Sequence, residues 1–396
     1  MTPEDSTGAN IHVVRFAPAK LNLTLAVVGR RDDGYHSLHS VMVPLALGDA
    51  LTVSEAPPGS GEDSLRITGL PLPLEPDNLV LRAIAAARAE VEAGPSGMPA
   101  PPLTVRLAKR IPVAAGLGGG SSDAAAAIEA ALAAWGAVLA PARKAALAAA
   151  LGSDVPFFLA GGVALVTGRG EFVEPLPDIQ GEPPAVLLVT PSMPLATADV
   201  FREYAGAAAR PDAAQPGAAQ GDAARPDAAQ PGAARARDVS ERLASDMRAG
   251  VKAATLLERL PELATANDLR AATVALEPHL REFVAVLEEV LDRPLCQSGS
   301  GPTLWSLYPT LAEARKAVRF VRLAVANGTL PLLGAGEPFV GATTIACRPM
   351  PPRPPLQGRT TAATRPRTVH NGSSAGGHGH GESASESVES KGDQTR

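Results

Sequence analysis

The run Lys109-Arg-Ile-Pro-Val-Ala-Ala-Gly-Leu-Gly-Gly-Gly-Ser-Ser-Asp123 constrains this chain more than any other stretch. Gly116, Gly118, Gly119 and Gly120 stand directly before two hydroxyls and an alanine-rich run from Ala124 to Trp135. Glycine admits positive φ and lets backbone N–H groups come close to a ligand. Alanine is the best helix former. A glycine loop feeding a helix start presents free N–H donors and about half a positive charge, which suits a phosphate. The sequence therefore predicts a nucleotide held through its phosphates. The loop is not a P-loop, which ends in Gly-Lys-Ser/Thr, because Ser121 follows Gly120 directly. Nor is it a dinucleotide fingerprint: Gly116-x-Gly118 runs into consecutive glycines with no βαβ rhythm around them. The alternative is a glycine hinge that touches no ligand.

With 396 residues there is room for two domains. Hydrophobic residues make up 45%, much of it alanine, and aromatics only 3%, so the cores are expected to be aliphatic with closely packed helices. The net charge of −5 gives no basic stripe for nucleic acid. Cys296 and Cys347 are the only cysteines, which excludes a disulfide framework and points to a reducing cytoplasm. The segment Met1–His12 lacks an apolar signal core, and no stretch reaches the roughly 20 apolar residues of a membrane span. Small-molecule substrates, with neither nucleic acid nor membrane as partner, are the expectation.

Residues 208–219 recur unchanged at 223–234. This repeat is proline-rich and poor in large apolar residues, so residues 205–237 read as a disordered insertion. The tail 349–396 reads the same way, its His370, His378 and His380 being incidental. Between these, Val13–Gly29 alternates like one strand, Asp32-Asp33-Gly34 turns, and Tyr35–Leu47 returns as its partner. Helices are predicted over 78–93, 142–151, 251–260, 278–291 and 311–327. Strands are predicted over 103–108, 162–167, 185–190, 303–308 and 339–347. Strands and helices mix without a βαβ rhythm, which argues for α+β, with the domain boundary near 181–184.

Asp154, in Leu151-Gly-Ser-Asp-Val-Pro156, is the candidate base; the competing reading is a helix N-cap, a usual place for aspartate just before a proline. Lys20 on an aliphatic strand needs an anion, or else lies on a solvated face. Tyr35 and His36 follow the turn, where a histidine is ordinarily a surface or hydrogen-bonded residue. Ser298-Gly-Ser-Gly-Pro-Thr303 is a second small-residue loop.

Four segments together resemble the GHMP kinase superfamily: Pro18-Ala-Lys-Leu-Asn-Leu23 with Asp33-Gly-Tyr-His36, then Pro112–Asp123, Gly152-Ser-Asp-Val-Pro156 and Ser298–Thr303. The first segment, with Ala266-Asn-Asp-Leu269, is similar to a branch whose acceptor carries a cytidine. The resemblance covers roughly 13–205 and 238–348. It implies a two-domain α+β fold, with a ribosomal protein S5 domain 2-like N-terminal half (13–182) and a ferredoxin-like C-terminal half (183–348). Residues 1–12 would be a flexible arm. It implies transfer of the γ-phosphoryl of ATP to a tertiary hydroxyl, with Asp154 accepting the hydroxyl proton and Lys20 orienting both. ATP would lie on Pro112, Val113, Ala114, Ala115, Gly116, Leu117, Gly118, Gly119, Gly120, Ser121 and Ser122, the backbone N–H groups of Ala114–Ser122 holding the phosphates. Mg²⁺ would come with the phosphates, aided by Ser121 or Ser122, without a dedicated acidic ligand. Tyr35 would stack on the acceptor's base, His36 would hydrogen-bond it, and Asn22 would lie nearer the reacting end. The rival readings are a homoserine- or mevalonate-type kinase, a non-catalytic nucleotide-binding regulatory protein, and a nicotinamide oxidoreductase.

Overall fold

Strand β3 (His36–Glu55) is the spine of the first half of the molecule. Along one edge it pairs with β1 (Val13–Asn22) and β2 (Ala26–Arg30), and along the other with β5 (Leu103–Lys109) and β6 (Ala164–Gly168), all antiparallel. β4 (Ser64–Gly69) adds to β5 in parallel and β7 (Phe172–Pro175) closes the seven-stranded sheet beside β6. A computed structural model describes residues 12–70, 78–94, 97–208 and 231–346. Residues 1–11 of the expected arm 1–12, and the tail 349–396 with its three histidines, lie outside the described residues.

The expected single strand over Val13–Gly29 is two strands. The break falls at residues 23–25, where the Leu25 N–H donates to the Ala266 carbonyl at 2.7 Å and Leu25 bridges Asn267. A contact with the second half of the chain therefore interrupts a local alternation. A register shift between Pro18 and Lys20 bulges β1 just where its chemistry-bearing residues begin. Bulges of this kind re-aim side chains.

Two helices cover the sheet: α1 (Leu79–Glu92) and the alanine-rich α2 (Gly119–Trp135). Ala83 and Ala87 of α1 and Ala124, Ala127, Ala130 and Ala131 of α2 are buried in one core with β5. Small side chains at these positions let the layers approach closely. α2 ends at Gly136 in the left-handed conformation, whose N–H donates to the Ala133 carbonyl while that of Ala137 donates to Leu132.

The chain passes to a second, four-stranded antiparallel sheet between Pro175 and Ala185. Its order is β11 (Phe339–Thr344), β8 (Ala185–Thr190), β10 (Leu304–Tyr308), β9 (Cys296–Gln297). α10 (His279–Leu291) and α11 (Leu311–Ala326) cover one face with Phe283, Leu287 and Val321. The other face is buried against the first sheet: Leu188, Trp305 and Leu307 share a core with Leu21, Val43 and Leu45. The arrangement is α+β.

Both ends of the insertion expected to be disordered, 205–237, are helical. α5 (Thr197–Ala208) runs to residue 208, and α6 (Pro231–Ala249) takes up the last residues of the second repeat copy. Val239, Leu243 and Met247 of α6 enter the shared core, so burial overrides the local composition. Residues 209–230 lie outside the described residues. Among the described residues no helix is long and apolar enough to cross a membrane.

Candidate active site

The glycine loop does turn through left-handed backbone: Ala114 has φ 52°, Gly116 74° and Gly118 70°. Its carbonyls are tied away from the cavity. Ala115 accepts from the Thr303 N–H, Gly116 from the Ser298 hydroxyl at 2.9 Å, and Leu117 from the Lys20 N–H at 3.0 Å. Gly118 sits at the N-cap of α2, and among the described residues the amides of Gly119, Gly120 and Ser121 find no acceptor. These are the free donors of a helix start. The Ser122 amide is not one of them. It donates to the Gly118 carbonyl at 2.9 Å, which corrects the expectation that it would face phosphate. Ser121 lines the cavity, whereas the Ser122 hydroxyl is buried without a partner.

Lys20 is buried, not on a solvated face. Its ammonium donates to Asn22 Oδ1 at 2.6 Å and lies 3.5 Å from Asp154 Oδ2. Asn22 donates in turn to the Ser40 hydroxyl, which donates to the Thr24 carbonyl. The alkyl stem passes over Gly118, where an added Cβ would come within 3.0 Å of Lys20 Cγ. Asp154 does occupy the N-cap position of α4 (Val155–Ala160), but its side chain makes no capping bond there. The carboxylate, 30% exposed, turns to Lys20 instead.

The second half completes this corner. Gly299, at φ 57°, leaves only 3.3 Å between a built Cβ and either Lys20 Nζ or Asn22 Oδ1. Asn267 holds that loop by donating to the carbonyls of Gln297 at 3.0 Å and Gly299 at 2.9 Å. Asp268 accepts from the Val27 amide at 2.8 Å and ties the same segment to β2.

Lys20, Asp154, Ser121 and the loop residues Pro112–Gly120 all line one cavity of about 1110 Å³, together with Asn22, Tyr35 and His36. Tyr35 is half-exposed with the Arg169 guanidinium 5.4 Å from its ring centroid. His36 stacks on Phe201 of α5 at 5.4 Å and meets Tyr204 edge-on. Burial holds the His36 imidazole below its usual pKa, and Arg30 pushes the same way.

Two features escaped the sequence. Phe201 stands on an amphipathic helix just before the repeat, and its only signal is being an aromatic in an aromatic-poor chain. Beneath the loop, Lys109 donates to Asp49 and, at 2.7 Å, to Asp123, all three nearly inaccessible. Asp49 also accepts from the Arg110 and Ile111 amides. Burial alone would lower the Lys109 pKa, yet the two carboxylates together raise it. Burial pushes Asp123 up to about 8 against the pull of Lys109, and its Oδ1 has no partner. The signal was there: charged residues inside apolar runs are almost never buried unpaired.

Residues 78–162 match the GHMP kinases N terminal domain family. A 4-diphosphocytidyl-2-C-methyl-D-erythritol kinase of Paramagnetospirillum magneticum is 39% identical over 310 residues, covering 76% of this chain and 90% of that protein. Its counterpart in Pelotomaculum thermopropionicum is 37% identical over 313 residues, covering 78% and 94%. The crystal structure of a 4-(cytidine 5'-diphospho)-2C-methyl-D-erythritol kinase matches with a TM-score of 0.56 at 29% identity, covering 84% of this chain and 100% of that one. The crystal structure of a homoserine kinase from Cytophaga hutchinsonii reaches 0.55 at 16% identity, covering 88% and 98%, a likeness of fold alone.

Proposed function

The chain belongs to the 4-diphosphocytidyl-2-C-methyl-D-erythritol kinase family of GHMP kinases, and on that premise we propose how its residues share the reaction. The reaction is ATP-dependent phosphorylation of the 2-hydroxyl of 4-diphosphocytidyl-2-C-methyl-D-erythritol, giving the 2-phosphate and ADP in non-mevalonate isoprenoid precursor synthesis. The observation that carries the assignment of roles is the Lys20–Asp154 pair, 3.5 Å apart in the cavity walled by the glycine loop.

Asp154 takes the proton of the attacking hydroxyl. General-base assistance of this kind is worth about 10²–10⁴ in rate. Its side chain is available because it leaves the helix cap unfilled. Lys20 fixes the carboxylate and orients the hydroxyl; its own direction is set by Asn22 and by the Gly118 surface beneath its stem. The amides of Gly119, Gly120 and Ser121 receive the phosphate oxygens of ATP as charge develops there. Such donors are pre-oriented, so they pay no reorganisation at the moment of transfer. Pro112–Leu117 form the outer wall of the nucleotide site.

Mg²⁺ arriving with ATP would supply positive charge to offset that of the phosphates, and the residues present fit such a cation. The Ser121 hydroxyl lines the cavity beside the free amides of the loop. Ser121 is thus the protein oxygen we assign to it.

The acceptor's base lies against Tyr35, His36 and Phe201, with Asn22 toward the reacting end. A cavity of about 1110 Å³ supports this reading. It exceeds the roughly 300–1,000 Å³ of a single-ligand pocket and leaves room for two substrates.

The test is ATP consumption by the purified chain with Mg²⁺ and the cytidyl compound, beside homoserine and mevalonate. Turnover confined to the cytidyl compound is expected. Turnover with another alcohol would keep the Lys20–Asp154 chemistry and remove the cytidine site.

A further inference from the structure

Five cationic side chains line the cavity: Lys20, Lys109, Arg30, Arg169 and Arg202. Three of them are committed to carboxylates, Lys20 to Asp154, Lys109 to Asp49 and Asp123, and Arg202 to Asp199 at 2.6 Å. The other two are not. Among the described residues Arg169 pairs with no carboxylate; its guanidinium donates to the Ala149 carbonyl at 3.1 Å and faces the Tyr35 ring. The acid whose charge it feels, Asp33, is already engaged by Arg31 and the Tyr35 amide. Arg30 is exposed and its side chain bonds to nothing among the described residues, directly opposite His36 in the β2–β3 register.

Their positions are as informative as their freedom. Gly170, next to Arg169, packs so tightly on the Ser153 carbonyl that no Cβ would fit. Arg169 is therefore anchored one residue from the catalytic carboxylate at its backbone and reaches Tyr35 at its tip. It spans the gap between the reacting end and the base end. In the acceptor, that gap is filled by a diphosphate. A guanidinium offers paired N–H donors that match phosphate oxygens and stay charged at every working pH.

We propose that Arg30 and Arg169 grip the acceptor's diphosphate, one beside His36 and the other beside Tyr35, and so make the enzyme demand a diphosphate-linked acceptor. The proposal rests on the function assigned above and adds a specificity device to it. Arg30 acts without losing a partner, because its side chain has none among the described residues to give up. Arg169 keeps its bond to the Ala149 carbonyl while its other guanidinium nitrogens turn to the anion.

The test uses the full chain and its Arg30→Gln, Arg169→Gln and double variants. Each single change is expected to raise the KM for the acceptor about 10-fold and the pair about 100-fold, with the KM for ATP unchanged. Binding of CDP and of cytidine, measured by calorimetry, separates charge from base: CDP should lose affinity in the variants and cytidine should not. Arg30→Gln removes an exposed side chain without partners among the described residues, so a folding defect does not mimic its effect. An unchanged acceptor KM, or an equal loss for cytidine and CDP, would overturn the proposal and leave the function standing. Failure of the wild-type chain to phosphorylate the cytidyl compound would overturn the function, and the grip with it.

Discussion

The Lys20 ammonium and the Asp154 carboxylate lie 3.5 Å apart, and Asp154 reaches that contact from a helix cap it leaves unfilled. An aspartate at an N-cap ordinarily accepts a backbone N–H, a bond worth about 1 kcal/mol. Here the side chain forgoes it, and local stability yields to the geometry of the site.

Asp154→Asn keeps the shape and removes the proton acceptor. Its kcat should fall by about 10²–10⁴-fold while ATP affinity stays within a few-fold of wild type. Single-turnover kinetics beside equilibrium ATP binding would check this. Unchanged turnover would take Asp154 out of the base role.

Gly116 and Gly120 should part company when replaced by alanine. Gly116 sits at φ 74° with the Ser298 carbonyl where its Cβ would go, whereas Gly120 has nothing within 4 Å. Gly116→Ala should cost about 2 kcal/mol or more, and Gly120→Ala should gain up to about 1 kcal/mol as a helix residue. Urea denaturation of both would decide it. Gly120→Ala should still weaken ATP binding, because its methyl intrudes where phosphate approaches.

Lys109→Met strands two carboxylates in the interior. Breaking a buried pair by removing one partner costs about 3–5 kcal/mol. Adding Asp123→Asn should recover part of that loss, since Asp123 is the acid that burial already disfavours as an anion. A double variant no more stable than Lys109→Met would show that the acids do not interact through the lysine.

His39 gives a pH dependence whose sign is fixed. Its Nδ1 meets the Ser240 hydroxyl of α6 at 2.8 Å, and burial holds its pKa below the usual 6.5, with Glu241 pulling the other way. A lowered folded-state pKa means the unfolded chain binds the proton first, so stability present above pH 6.5 is lost as pH falls below it. Asp268, pushed up to about 6 by burial, runs opposite, losing stability as pH rises through 6. The measurement is therefore a difference. Between pH 7.5 and 5.5, His39→Gln should lose less stability than wild type, and an equal loss would clear His39.

The parts of the site legible in the sequence are those whose chemistry sits in a short contiguous run. The glycine loop, Lys20 with Asn22, and Asp154 all occupy such runs, and the cavity gathers them. What was not legible depends on partners far along the chain. The alternation predicts a partner strand that stops at Leu47, just before Gly48-Asp49. Instead Gly48 lets Phe16 and Ala17 press against the strand, and Asp49 caps the amides of Arg110 and Ile111. The strand thus continues to Glu55. Phe201 and the buried Lys109 cluster were hidden for the same reason. Ala266-Asn-Asp-Leu269 is visible as a motif, yet its work is to clamp the loop at Gly299, which no local pattern announces.

The seam where Gly116 meets Ser298 and Gly299 meets Lys20 limits how such proteins can be recombined. A crossover between related genes at the 175–185 junction looks clean on the sheet diagram, since it exchanges one whole sheet for another. It would nevertheless join a phosphate loop from one parent to a backing loop from the other, along a contact with no slack for even a methyl group. Chimeras made there should fold more often than they function, and activity should return when residues 266–269 and 298–303 are changed back to those of the parent that supplied residues 111–122.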